Sequence, residues 1–198
     1  LSCLQTCQLD VAYVLLFDMW SKSLKHTIAA PIGPRHFLLG SWLVGILRGT
    51  LTLAIIVVFI RLLFGFNLLS PGFKPLFVFW SGMMLCGLQI GMLTTIALYL
   101  FGWRAEIVPW SIVSVLLLLC GIYYPVDVLH PALRAIGNAI PVTHFLQAYR
   151  ESFGLPGGGH AALKGYALSA VYFAVIYYFL VLAAKRAARR GLIMKLSE

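Results

Sequence analysis

Acidic residues are what this sequence has least of. Its 198 residues hold six Asp and Glu against fifteen Lys and Arg, and charged residues make up 11% of the chain while 61% is hydrophobic. A soluble globular domain carries roughly a quarter charged residues and under half apolar ones, so a water-exposed fold of this length could not cover itself. The acids are Asp10, Asp18, Glu106, Asp127, Glu151 and Glu198. None is expected in the middle of a full apolar run, so a carboxylate relay for proton-coupled transport is excluded. HExxH and GxSxG do not occur, and the glycine-rich stretch from Gly154 to Gly159 is followed by no GK[ST]. Those patterns support zinc-protease, serine-hydrolase and nucleotide-binding chemistry, none of which is expected in this chain. Cysteine is sparse as well. Cys3, Cys7, Cys86 and Cys120 have no Cys or His partner at metal-ligand spacing, so neither a metal centre nor a disulfide framework is read from them.

What the chain has in abundance is long runs without charge. Pro75 to Trp103, Ile107 to Val126 and Gly165 to Ala184 contain no Asp, Glu, Lys or Arg. Each is long enough, as a helix rising about 1.5 Å per residue, to cross a hydrocarbon core of about 30 Å. The run from His36 to Phe64 is as apolar but contains Arg48 and Arg61. Arg61 can reach an interface by snorkelling, whereas Arg48 sits deeper and must face protein, water or a lipid headgroup. The expected fold is therefore an all-α integral membrane protein, a single polytopic helical bundle over residues 1–198. Its four full spans are placed at 36–64, 75–103, 107–124 and 163–184. Val11 to Met19 is too short to cross alone, and with the chain beginning at Leu1 the segment 9–19 reads as the remnant of a truncated span.

Basic residues set the orientation. Lys22, Lys25 and Arg35 precede the first full span, Arg104 lies between the second and third, and Lys185, Arg186, Arg189, Arg190 and Lys195 follow the last. With four spans these fall on one side, which the positive-inside bias makes cytoplasmic, including the tail 185–198. Positive charge that flanks spans is a topology signal, so no nucleic-acid partner is expected.

The connection between the last two spans, 125–160, is too long to lack structure of its own. Pro131 is placed to open a helix carrying Leu133, Ile136 and Ile140 at helical spacing, and Pro141 to stop it. Thr143 then offers an N-cap to a second helix in which Phe145, Leu146, Tyr149 and Phe153 share a face. Two short amphipathic helices around a proline elbow suit a re-entrant outer hairpin, with an ordinary surface loop as the plainer alternative. On the opposite side, Trp20, Leu24 and Ile28 recur every four residues, with Lys22, Lys25 and His26 between them. This pattern in segment 20–35 fits a short amphipathic helix that either lies on anionic headgroups or docks a partner. Within the spans, Gly45 and Gly49 form one GxxxG pair and Gly87 and Gly91 another. Both permit close helix packing, within or between subunits. Asp127, His130 and His144 are the only candidates for an acid/base or metal site, and capping near Pro131 accounts for the first two equally well.

The strings Gly121-Ile-Tyr-Tyr-Pro125, Leu129-His-Pro-Ala-Leu133 and Ile140-Pro-Val-Thr-His144, followed by Arg150, resemble the signature of the ABC type-2 transporter permeases. Upstream, Ser23-Leu24, Ala30-Pro-Ile32 and Phe37-Leu-Leu-Gly40 are similar to that family's cytoplasmic loop. Val142 stands where the family usually has leucine, and His130 where it often does. The resemblance implies six spans in a complete subunit, of which the first and most of the second are missing here. It implies a coupling helix over Ser21 to Ala30, with Trp20, Lys22, Leu24, Lys25 and Ile28 as the segment that meets a separate cytoplasmic ATPase. ATP and Mg would then bind that partner, and this chain would carry no cofactor. It implies an outer gate at Tyr123, Tyr124, Pro125, Pro131, Pro141, Thr143 and Arg150. It also implies a second permease copy, surrounding lipid, a bacterial inner (plasma) membrane, and export of a lipid-like, glycan-linked or hydrophobic substrate. A membrane-embedded enzyme using Asp127, His130 and His144, or a scaffold that transports nothing, are the alternatives.

Overall fold

The computed structural model describes residues 2–23, 34–123, 126–157 and 159–189, and every regular element among them is helical. Helix α1 spans Ser2–Trp20, α2 Pro34–Phe64, α3 Phe73–Phe101, α4 Val108–Leu119, α5 Pro131–Ala139, α6 Pro141–Glu151 and α7 Ala161–Arg189. Single 3₁₀ turns cover Gly102–Ala105 and Val126–Val128. Helix α3 is the hub: α1 and α7 pack along it, α6 fits against both α3 and α7, and α1 is held between α2 and α3.

Among the described residues three helical segments have the length and composition to cross a membrane: Arg35–Phe64, Phe73–Ala105 and Ala161–Ala187. The fold is an all-α polytopic membrane protein, but with one full span fewer than the sequence suggested. The charge-free run at 107–124 forms a helix of only 12 residues, about 18 Å at the helical rise. Local chemistry limits it at both ends. Pro109 stands in the first turn, and Gly121 adopts φ 70° just beyond it, a left-handed geometry that stops a helix and that glycine adopts without Cβ strain. Absence of charge permits a span without specifying where the helix ends.

The segment taken as a remnant, 9–19, belongs to a helix of 19 residues. Cys3, Leu4, Cys7, Gln8, Val11, Ala12, Leu15, Leu16 and Met19 are all buried on it and recur every three or four residues along one broad face; no amphipathic stripe shows because that side also carries the polar Gln8 while the open side carries the apolar Phe17. Both GxxxG pairs converge on this helix. A Cβ on Gly45 would stand 3.1 Å from the Cys7 Cα, and one on Gly49 3.1 Å from the Cys3 carbonyl oxygen. From the other side, Gly87 and Gly91 would each reach 3.1 Å from an α1 carbonyl, those of Leu4 and Gln8. Four missing side chains thus let α2 and α3 approach the α1 backbone from two directions. The carbonyl of Met84 ties the three helices, accepting from Trp42 Nε1 at 3.2 Å and from the Cys7 thiol at 3.7 Å.

Polar ties join the rest of the bundle. Gln8 Nε2 donates to the Pro109 carbonyl at 3.0 Å, linking α1 to α4, and Gln89 Nε2 donates to the Ser169 carbonyl at 2.7 Å, linking α3 to α7. Where water is excluded, such bonds satisfy groups that would otherwise be costly to bury. The lipid-facing part of α2 is open: Leu43, Leu47, Leu51, Ile55 and Leu62 are all more than half exposed.

Candidate functional site

The residues singled out in the sequence fall at two ends of the bundle. At the basic end, α1 terminates at Trp20 in a Schellman arrangement. The Ser23 N–H donates to the Asp18 carbonyl at 3.0 Å, and the Lys22 N–H to that of Met19 at 3.2 Å. Lys22 takes the left-handed position, φ 55°, which glycine usually occupies. Ser23 Oγ adds a bond to Asp18 Oδ1 at 3.0 Å. Trp20 Nε1 donates to Glu106 Oε1 at 3.0 Å, so the exit of α1 is tied directly to the turn between α3 and α4. The ring of Trp20 also meets Phe17 edge-on at 5.4 Å between centroids. Of the residues that the resemblance assigns to coupling, Trp20 and Lys22 are described here, while Leu24, Lys25 and Ile28 lie outside the described residues.

At the opposite end, α5 and α6 form a hairpin around a one-residue elbow, Ile140. Pro131 lies in the first turn of α5 after His130, whose side chain makes no cap bond. Capping therefore does not account for the polarity of His130. Pro141 is the first residue of α6, with Ile140 as its N-cap, so the helix starts three residues earlier than the Thr143 cap implied. Proline suits this position because the first helical N–H needs no partner. Thr143, inside the first turn, instead reaches back: its Oγ1 donates to the Gly137 carbonyl at 2.7 Å. His144 Nε2 lies 2.8 Å from the Asn138 carbonyl. Carbonyls left open at the end of α5 are thus taken up by the first turn of α6.

The hairpin is seated on the bundle through an aromatic wedge. Phe145 is fully buried and enters between α3 and α7 where each presents glycine. A Cβ on Gly82 would overlap its ring, and one on Gly165 would come within 3.1 Å of it. Tyr166 packs edge-on against Phe145 at 4.9 Å and shares a 2.5 Å hydroxyl contact with Ser81. Further out, Phe79, Tyr149, Phe153 and Phe66 form a continuous aromatic row with successive centroids 4.8, 5.3 and 5.6 Å apart.

Three hydrogen bonds fix the hairpin to neighbouring backbone. Tyr149 Oη donates to the Leu68 carbonyl at 2.8 Å, Arg150 Nη2 to that of Ile122 at 3.2 Å, and Tyr172 Oη to that of Ala139 at 3.0 Å. Burial pushes the Tyr149 phenol above its ordinary range, because removing water disfavours the phenolate. Tyr123 is exposed, and Tyr124 and Pro125 lie outside the described residues. Gly137, which pattern reading passed over, makes the closest backbone approach: its Cβ would stand 2.6 Å from the Leu119 carbonyl oxygen. Its only sequence signal is a glycine inside an amphipathic helix, where it costs helix stability without an evident return. Among the described residues no three His, Cys, Asp or Glu side chains converge on a metal position, and His130 and His144 join no such group; the Asp127 side chain lies outside what is described.

Arg48 is paired. Its Nη1 donates to Asp10 Oδ1, and Asp10, halfway along α1, is almost fully buried. An acid does stand at mid-helix, contrary to the sequence reading, which treated 9–19 as a fragment and so missed its partner.

A search of curated proteins and one of solved structures each give no match. The profile of a single family, described as ABC-2 type transporter, matches residues 3–153, from the first turn of α1 through the hairpin. With that match covering most of an all-α chain with membrane-spanning helices, the protein belongs to the ABC-2 type transporter permease family.

Proposed function

We propose that this permease component works as an exporter subunit, moving a lipid-like, glycan-linked or hydrophobic substrate out of the cytoplasm with energy from a separate ATPase. The observation that carries this reading is the separation of two tied ends. The α1 exit is bonded to the α3–α4 turn through Trp20 and Glu106, and the hairpin is wedged into α3 and α7 through Phe145 at the other end. Helix α3 reaches both, so a displacement at the basic end has a packed, rigid route to the hairpin. In this reading the ATPase docks on the segment around Trp20, Lys22, Leu24, Lys25 and Ile28. The residues from Tyr123 to Pro125, Pro131, Pro141, Thr143 and Arg150 form the outer gate.

A second copy of the permease completes the pathway, and the largely apolar helices favour cargo with a hydrophobic part over a bare ion, which needs polar lining. The setting is a bacterial inner membrane with the basic tail in the cytoplasm. The experiment is reconstitution of the full chain with its ATPase in proteoliposomes, with fluorescent lipids as test cargo. Export predicts ATP-dependent movement toward the hairpin side. Movement would be lost with Lys22→Glu, Lys25→Glu and Leu24→Pro combined, together with co-purification of the ATPase. Intact docking and transport in that triple variant would remove the coupling assignment.

A further inference from the structure

Between α1 and α2, on the half of the bundle nearer the basic end, lies a cavity of about 600 Å³ with Asp10, Tyr13, Phe17, Gly40, Val44 and Arg48 on its walls and His36 among its residues. Arg48 stands one residue before the middle of the 31-residue α2. A charged group at that depth is expensive in lipid and ordinarily marks a ligand or ion pathway. Its guanidinium has five N–H donors. One goes to Asp10, and the side chain is still 59% exposed, whereas Asp10 is 7% exposed. Among the described residues, no other side chain or carbonyl accepts from it.

The two partners therefore play different parts. Asp10 is enclosed in the bundle, and its Oδ2 has no hydrogen-bond partner among the described residues, so it can fix the position of the guanidinium but offers little surface to a ligand. Arg48 turns its remaining donors into the cavity. Those donors need oxygen acceptors in a place where bulk water is scarce, and a planar fork of N–H groups matches phosphate oxygens best. Apart from His36 and Ser41, the rest of the wall is apolar or aromatic, and its rim, Phe17 and Val44, is exposed to the surroundings of the bundle, which in a membrane means acyl chains.

We propose that this cavity is a binding site for a phosphate-bearing amphiphile, with the phosphate on Arg48, Asp10 as the positioning residue, and the chain along Phe17 and Val44. A bilayer phospholipid and a transported lipid phosphate present the same chemistry. The site is independent of transport direction, since it is read by binding alone.

Gly40 supplies the decisive variant. It lines the cavity, and a Cβ there meets nothing within 4 Å, so Gly40→Leu fills the space without disturbing the Asp10–Arg48 pair. The full chain, purified in detergent and supplied with phosphatidylglycerol, is examined by native mass spectrometry, with diacylglycerol of the same chains as the phosphate-free control. Wild type should retain phosphatidylglycerol and not diacylglycerol. Gly40→Leu and Arg48→Gln should each weaken retention about tenfold or more, as expected for loss of a charge-assisted pair. Arg48→Lys should fall between, having charge without the fork. If Gly40→Leu melts like wild type and keeps its lipid, or if diacylglycerol is held equally well, the proposal is overturned. Should Arg48→Gln fail to fold, Gly40→Leu alone decides. Adding the ATPase and ATP separates the two sources: lipid released only during turnover is cargo, and lipid that stays is resident.

Discussion

Phe145 occupies the space where a side chain on Gly82 would be: a Cβ at that glycine would overlap the Cγ and Cδ1 atoms of the aromatic ring. The wedge that seats the hairpin therefore depends on two residues far apart in the chain, one fully buried and one without a side chain. Gly82→Ala should overpack this contact and lower stability by about 1–3 kcal/mol, seen as a fall in the detergent melting temperature. Phe145→Leu in the same background should recover part of the loss, because residues in direct contact are not additive. Equal and additive losses would mean that the two do not share the space.

The elbow gives a sharper case, since its close approach is to backbone. Gly137→Ala places a methyl 2.6 Å from the Leu119 carbonyl oxygen, and neither partner has a side-chain rotamer with which to yield. The end of α5 must then move off α4, at a cost of about 1–3 kcal/mol. Thr143→Val removes the bond to the Gly137 carbonyl, which also accepts from the Ile140 N–H at 3.1 Å, together with the hydroxyl's contact to the Cys120 thiol, so about 1 kcal/mol is expected. Thr143→Ser should behave as wild type. Limited proteolysis in the 154–160 segment, compared across the three variants, reports whether the hairpin has lifted.

Composition made the membrane class legible, because apolar excess is a bulk property that needs no knowledge of neighbours. The spans at Arg35–Phe64 and Ala161–Ala187 follow from it directly. The short α4 does not, since its end is set by the backbone angle at Gly121, and a left-handed glycine and a helical one look alike in sequence. The glycine pairs pointed to close packing, but their common target, α1, could not be read from one strand of text. Gly137 had no pattern of its own; its part is defined by an atom more than fifteen residues away. Asp10 was misjudged for the same reason, as the need for a buried acid only appears once Arg48 is beside it.

Tyr149 should make the hairpin sensitive to alkaline pH. Burial raises its phenol above the ordinary tyrosine value of about 10, so the folded state holds the proton more tightly than the unfolded chain does. The stability this contributes is complete below the unfolded value and is lost as pH rises through the folded one. Melting temperature measured from pH 8 upward should therefore fall more steeply above about pH 10 in wild type than in Tyr149→Phe. Tyr149→Phe should also start lower, having lost the bond to the Leu68 carbonyl. Parallel curves would show that Tyr149 does not carry the response.

At the other end, Trp20→Phe separates packing from linkage. Phenylalanine keeps an aromatic ring beside Phe17 and Tyr13 but cannot donate to Glu106. The bond is partly exposed and worth about 1 kcal/mol, so the melting temperature should shift only slightly. If the α1 exit transmits force to the α3–α4 turn, ATPase turnover in the assembled complex should continue while lipid movement falls several-fold, and Glu106→Gln, which retains an acceptor oxygen, should preserve much of it. Unchanged transport in Trp20→Phe would leave the contact purely structural.

The last test concerns how α1 is held. Gly91 approaches it more closely than the other three paired glycines approach their nearest backbone or side chain: an added Cβ meets the Val11 Cβ at 2.6 Å and the Gln8 carbonyl at 3.1 Å. Gly91→Ala should therefore push α1 away from α3 and weaken the bundle by about 1–3 kcal/mol. Val11→Ala alone should cost less than a large core truncation, because only two methyl groups are lost. The combination should be somewhat more stable than the sum of the single changes predicts, since alanine at position 11 removes the Val11 Cγ1, 2.7 Å from the new methyl, while the Cβ at 2.6 Å remains. Gly40→Ala, on the same kind of membrane helix but facing open space, should be neutral or slightly stabilising through helix propensity. If Gly91→Ala and Gly40→Ala melt alike, the glycine grip on α1 contributes nothing, and the position of Asp10 beside Arg48 needs another cause.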